Sequence, residues 1–197
     1  MIETIGKHEK QTRLFFKTLN KFMLLMWRLG LGALLQNRYG GYITVLISKG
    51  NKSGLMRKAP VNYHRDGDTV YILPGFGVRT HWYRNLMAEP KCQLWLPDGW
   101  WDAVAEEVSD ENERLTALRQ VLIRAGFATT LIEGFNPAQL SDDEIRKLGQ
   151  RYPKLMRITL LEQRGGKGTP GDLAWIWPVL MLLGWLSRRI PGGKKRG

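Results

Sequence analysis

The turn Gly50-Asn51-Lys52-Ser53-Gly54-Leu55-Met56-Arg57 gathers two cations and a hydroxyl around a pair of glycines. Glycine lets a backbone approach a ligand closely, and Lys and Arg make charge-assisted hydrogen bonds. Backbone N–H groups and both cations can therefore converge on one anion. The competing reading is a solvated basic turn. Gly75-Phe76-Gly77 is a second glycine-bracketed stretch, weak as a phosphate motif by itself. Tyr83 and Tyr152 carry hydroxyls that could give a proton to a reduced acceptor, although either also reads as a packed aromatic. His81 reads as a ligand or proton donor, or more simply as a surface residue at a helix start. Nothing pairs a nucleophile with a base. His8, His64 and His81 are scattered and Cys92 is the only cysteine, so neither a metal site nor an intrachain disulfide is expected. A single cysteine fits a reducing compartment.

These residues need elements to hold them. Tyr42–Ser48, Ala59–His64, Thr69–Leu73, Cys92–Leu96, Trp100–Val108 and Met156–Leu161 read as strands, with Asp66-Gly67-Asp68 and Pro97-Asp98-Gly99 as hairpin turns. Close strand spacing and tight turns predict an antiparallel sheet or barrel rather than βαβ units, hence an α+β protein. Thr80 to Ala88 reads as a short helix capped by Thr80. Ser109–Ala125, with the cap pair Asp110 and Glu113, and the segment from Ser141 and Glu144 through Leu148 read as two more.

Two appendages flank this middle. Leu14 to Leu35 reads as an amphipathic helix with a weak spot at Gly30-Leu31-Gly32. Leu14, Phe15, Leu19, Phe22, Met26 and Leu29 recur at helical spacing, and Lys10, Lys17, Lys21 and Arg28 form a narrow basic stripe. Gly165 to Gly171 is a linker. Beyond it Leu173 to Leu186 is almost wholly apolar, with Trp175, Trp177 and Trp185, and leads into Arg188, Arg189, Lys194, Lys195 and Arg196. Each appendage reads either as a helix docked on protein or as one lying in a membrane interface. The expected organisation is residues 1–35, a barrel over 36–164, a linker over 165–171 and an apolar, basic tail over 172–197.

Lys and Arg number 30 against 18 Asp and Glu, a net charge of +12. Such an excess asks for nucleic acid, an anionic membrane or a polyanionic ligand. No nucleic-acid reading motif is present, which argues against the first. No apolar run reaches the ~20 residues of a spanning helix, and no secretory pattern opens the sequence. The expected location is cytoplasmic, on the inner face of the cell membrane where attached.

The middle of the chain resembles the deazaflavin-dependent nitroreductase family, whose fold is a flavin-reductase-like split β-barrel. Val45 to Gly54 with Arg57 and Pro60, the turn Asp66-Gly67-Asp68, and Trp82-Tyr83-Arg84-Asn85-Leu86 with Ala88 and Pro90 carry the resemblance, in order and spacing. Residues 19–108 match well. Leu73-Pro74 and His81 depart from the family pattern. The resemblance implies coenzyme F-420 as cofactor, with Lys52 and Arg57 as phosphate cations and Ser53 as a hydroxyl donor. It adds Gly54, Pro60, Gly75, Phe76, Gly77, Trp82 and Asn85 to the cofactor-binding residues. It implies hydride transfer to a quinone, nitro or other conjugated acceptor, a lipid quinone being the one that suits the basic apolar ends. Related barrels hold FMN or haem, or bind a cofactor without catalysis, and these alternatives stay open. Split barrels of this kind are often homodimers.

Overall fold

The computed structural model describes residues 18–34, 36–37, 41–126, 134, 136–164 and 171–189. Six strands close into an antiparallel barrel: β1 (Ile43–Lys49), β2 (Met56–Asp66), β3 (Thr69–Ile72), β4 (Lys91–Leu96), β5 (Gly99–Glu107) and β6 (Met156–Arg164). Around the barrel the order is β1-β2-β3-β6-β5-β4. Among the described residues the α-helices are α1 (18–28), α2 (His81–Ala88), α3 (Glu111–Arg124), α4 (Asp142–Arg151) and α5 (Ile176–Arg189). The expected α+β antiparallel barrel with flanking helices is the fold that forms.

Alternation along the strands sets the two faces. On β1, Leu46 joins the interior cluster with Val70, Ile72, Leu94, Leu96 and Ile158. Val45 and Ile47 point outward, yet they are also buried, because Trp27 of α1 covers them beside Trp95. A strand buried on both faces reads as an unbroken apolar run, which is how Tyr42–Ser48 looks in the sequence. α3 packs Ala117 and Val121 against Val108 and Leu155. α2 closes the end of the barrel where β1, β3 and β5 finish, sending Tyr83 and Leu86 into the interior.

β2 has two neighbours over only part of its length. It pairs with β1 from Met56 to Asn62 and with β3 from Tyr63 to Asp66. Pro60 lies where β2 has β1 alone beside it, so a residue without an N–H is tolerated in the strand. β2 begins three residues before the expected Ala59, because Met56, Arg57 and Lys58 continue the ladder opposite Lys49, Ser48 and Ile47. Arg57 is therefore a strand residue rather than a loop residue.

The expected helix starts are mostly in place. Asp110 accepts from the Glu113 N–H at 2.7 Å, and Ser141 with Glu144 forms a full capping box. α4 runs on to Arg151, past the expected Leu148. Thr80 stands at the cap position of α2, but its hydroxyl makes no capping bond and is buried without a partner. The first helix stops earlier than Leu35. Gly30, at φ +77°, donates to Trp27 O, and Leu31 donates to Met26 O at 2.9 Å. This pair of bonds is a Schellman stop. Leu14, Phe15, Lys10 and Lys17 lie outside the described residues.

The stop of α1 is joined to the tail. A helix end leaves carbonyls in need of donors. Trp27 O accepts from the Gly171 N–H at 3.0 Å, Arg28 O from Leu173 at 2.9 Å, and Leu29 O from the Trp177 indole at 2.9 Å. Arg28 forks onto both carboxylate oxygens of Asp172. Arg28 is thus ion-paired while remaining exposed, so its charge in the basic stripe is offset by Asp172. Of the expected apolar positions on α1, Phe22 is exposed, and the buried anchor is Trp27.

Candidate functional site

The Gly50 turn bridges β1 and β2 at the barrel end that α2 closes. Gly50 N–H donates to Leu55 O at 2.8 Å and Gly54 N–H to Gly50 O at 2.7 Å, which draws the turn tight. A Cβ on Gly50 would stand 2.7 Å from Ser53 Oγ and 3.1 Å from Leu55 O, so a larger residue would displace the serine hydroxyl. Gly54 has φ +64° and open space on the side where a Cβ would project. Ser53 Oγ accepts from Arg57 Nη2 at 3.3 Å and from the Leu55 N–H at 3.4 Å. Lys52 and Arg57 are exposed, and among the described residues neither has a carboxylate partner. The amides of Lys52 and Ser53 likewise meet no acceptor among those residues.

Asn85 fastens this turn to α2. Its Oδ1 accepts from the Asn51 N–H at 3.1 Å, and its Nδ2 donates to Ser48 Oγ at 3.2 Å. Ser48 is 1% exposed and shares the inward face of β1 with Thr44 and Leu46. Sequence reasoning missed both Ser48 and Asn51. The signal for Ser48 was present: a polar residue two places beyond Leu46 sits on a buried face. Pro60, two residues beyond Lys58, faces Val45 across the ladder.

Gly75, Phe76 and Gly77 turn the chain from β3 into α2 at the same barrel end. Gly77 donates to Pro74 O at 2.7 Å and has φ +55°. Phe76 and Val78 are exposed here, as are Leu55 and Met56 after the basic turn and Met87 on α2. Exposed apolar side chains thus occur on the elements around the basic turn, whose two cations have no acid partner among the described residues. Trp82 is half-buried and packs against the interior core. His81 is exposed, its Nδ1 3.2 Å from Arg84 Nη2.

The two tyrosines are placed differently. Tyr83 is buried and donates its hydroxyl hydrogen to Glu107, which also accepts from Lys154 Nζ. Burial, with the hydrogen bond to Glu107 behind it, pushes the Tyr83 phenol up to about 12. Burial alone would raise the Glu107 carboxyl, but the bonds from Lys154 and Tyr83 bring it below its ordinary value. Tyr152 ends α4, its carbonyl accepting from Arg114 of α3, and Arg151 lies over its ring. The structure does not bring Tyr83 and Tyr152 together.

A cavity of about 380 Å³ lies elsewhere, on the outer face of the barrel beneath α1. Leu24, Leu25 and Trp95 line it together with Lys21, Arg28, Lys58 and Asp172. Lys58 lies 4.2 Å above the Trp95 ring. Burial lowers the Lys58 ammonium, against the attraction of Asp172. This cavity is lined from α1, the outer barrel face and the tail, not from the Gly50 turn. Among the described residues no group of His, Cys, Asp and Glu could hold a metal.

Among curated proteins, none matches the chain by sequence. Solved structures similar to it include the conserved hypothetical protein Rv2991 from Mycobacterium tuberculosis, at 13% identity and TM-score 0.44, covering 68% of this chain and 79% of that one. The F-420-H(2)-dependent reductase FDR-A aligns at 21% identity and TM-score 0.41, over 59% of this chain and 92% of its own. HutZ, the heme storage protein from Vibrio cholerae, aligns at 18% identity and TM-score 0.38, over 71% and 92%. The model of one family matches residues 28–128, just over half of the chain. That span holds the basic turn, Asn85 and all but the last barrel strand, and by it the chain belongs to the F-420H(2)-dependent quinone reductase family.

Proposed function

We propose that this chain binds reduced coenzyme F-420 at the Gly50 turn and uses it to reduce a quinone-type acceptor. The observation that carries the reading is that Lys52 on the turn and Arg57 at the start of β2 have no acid among the described residues, beside amides and glycines that leave room for an anion. The cofactor presents a phosphate, and the donor set fits it: an ammonium, a guanidinium, the Ser53 hydroxyl and free backbone N–H groups. When bound, the deazaflavin supplies a hydride from a ring carbon.

The protein supplies the rest. Lys52 and Arg57 hold the phosphate, with Ser53 orienting Arg57. Asn85 keeps the turn against α2, so that the cations are fixed before binding and less ordering is needed. Phe76, Val78, Leu55, Met56 and Met87 offer apolar surface for a flat conjugated ring system and exclude water from it. Tyr83 would have to give up its bond to Glu107 to protonate an acceptor, and Tyr152 ends α4 beside Arg114, so the reading assigns no proton donor. A lipid quinone is the acceptor that best suits a chain with exposed apolar helices.

The test is anaerobic titration of the full chain with reduced coenzyme F-420, followed by menadione. Oxidation of the bound deazaflavin on adding the quinone supports the reading. Tight binding with no oxidation by any quinone or nitroaromatic leaves a cofactor carrier. Binding of FMN in preference to the deazaflavin rejects the cofactor assignment.

A further inference from the structure

We infer that α5 inserts into the surface of an anionic lipid bilayer, with the α1 cations around its root facing the headgroups. The inference concerns where the enzyme sits and stands apart from the chemistry at the Gly50 turn.

The helix is apolar on every side. Trp177, Val179, Leu180, Met181, Leu182, Leu183, Trp185 and Leu186 are all exposed. At ~100° per residue they leave no arc wider than about 60° without an apolar side chain. A single packing face on a partner or a second copy of the chain covers one stripe of a helix, whereas a helix apolar all round is buried in a large core or in lipid. A lipid phase covers every stripe. The few polar groups do not oppose this. Ser187 satisfies its hydroxyl on the Gly184 carbonyl, and Arg188 and Arg189 stand at one end.

The charge selects the kind of lipid. After Asp172 the sequence has no acidic residue, while Arg188, Arg189, Lys194, Lys195 and Arg196 follow. Basic residues beside an apolar helix draw it to anionic headgroups. Lys21 and Lys58 lie beside the Arg28–Asp172 pair in the cavity at the other end, next to the turn that begins α5, and leave it net positive. At 14 residues the helix is about 21 Å long, and no helix among the described residues is long and apolar enough to cross a membrane. It therefore lies in the interface or enters one leaflet.

The root is fixed. The bonds from Gly171, Leu173 and Trp177 to the end of α1 tie the helix to the barrel. Gly30 and Gly171 abut, and a Cβ on Gly171 would stand 3.5 Å from Gly30 Cα. A helix held this way presents the α1 side of the barrel to the membrane.

The experiment is co-sedimentation of the full chain with vesicles of phosphatidylcholine alone and of phosphatidylcholine with phosphatidylglycerol. The variants are Leu180→Asp with Leu183→Asp, and Arg188→Glu with Arg189→Glu. The full chain is expected to pellet with the anionic vesicles at least tenfold more strongly than with neutral ones. Both variants should lose at least tenfold in partitioning while reducing menadione as the parent does, or, if the parent is inactive, while keeping its circular dichroism spectrum. A full chain that stays in the supernatant overturns the inference, as does an aspartate variant that pellets like the parent. A full chain that sediments as a dimer without lipid, with the aspartate variant monomeric, makes α5 a protein interface and overturns it too.

Discussion

The molecule treats its cations in two ways. Many of them have an acid: Arg65 with Asp98, Arg119 with Asp142, Arg157 with Glu106 and Glu113, Arg164 with Asp102, and Arg28 with Asp172 where the tail meets α1. At the Gly50 turn, Lys52 and Arg57 have none among the described residues, and the polar neighbours are a serine hydroxyl and backbone amides. The cavity under α1 is as basic as the turn, yet it carries its own carboxylate in Asp172. Positive charge alone therefore does not mark a site for a small anion. The anion site proposed at the Gly50 turn is where the charge has been left without an acid among the described residues and the backbone has been opened by glycine.

The sharpest way to break this comparison is to remove the cations from each region in turn. Lys52→Ala with Arg57→Ala should weaken coenzyme F-420 binding by about thirtyfold or more, roughly 2 kcal/mol for lost charge-assisted bonds. Lys21→Ala with Lys58→Ala should leave it unchanged. Fluorescence titration measures both, and equal losses would erase the distinction. Asn85→Ala keeps both cations but unfastens the turn, and should cost about fivefold in affinity, near 1 kcal/mol for the lost hydrogen bonds.

Lys154 and Glu107 give a smaller, pH-dependent contrast, because here a cation is satisfied inside the fold. The carboxyl of Glu107 is held below its ordinary value. Its contribution to stability is full above the unfolded carboxylate pKa of about 4.3 and is lost as pH falls through the lower folded value. Thermal melts in acid should show this loss in the parent and less of it in Glu107→Gln. The smallest effect belongs to Asp172→Ala. The Arg28–Asp172 pair is exposed and screened by water and salt, so the thermal midpoint by calorimetry should stay close to that of the parent. A large drop would mean that the join of the tail to α1 depends on the ion pair rather than on its backbone bonds.

The basic turn and Arg57 could be singled out because each is local, a glycine spacing and a cation, whereas Asn85 was reached only through the family resemblance. The strands could be read because alternation and turn chemistry repeat over short distances. What they do together could not. The two bonds of Asn85 reach back 34 and 37 positions, to Asn51 and Ser48, and no periodicity reports them. β2 starts at Met56 because pairing with β1 overrides the polar composition of Arg57 and Lys58. The first helix was read too long because a glycine inside an apolar pattern can be tolerated or can terminate it. Only its left-handed backbone, seen at Gly30, decides. Trp27 was not among the apolar positions that the spacing picked out, although it is the residue that α1 buries.

The bond between Arg28 and Asp172 spans 144 positions, and this bears on how the protein is made. When the ribosome has finished the barrel, the carbonyls of Arg28 and Leu29 still await donors that lie beyond β6 in the chain. The first helix is then complete in sequence but not in bonding, so its final seating waits for Gly171, Leu173 and Trp177 to emerge.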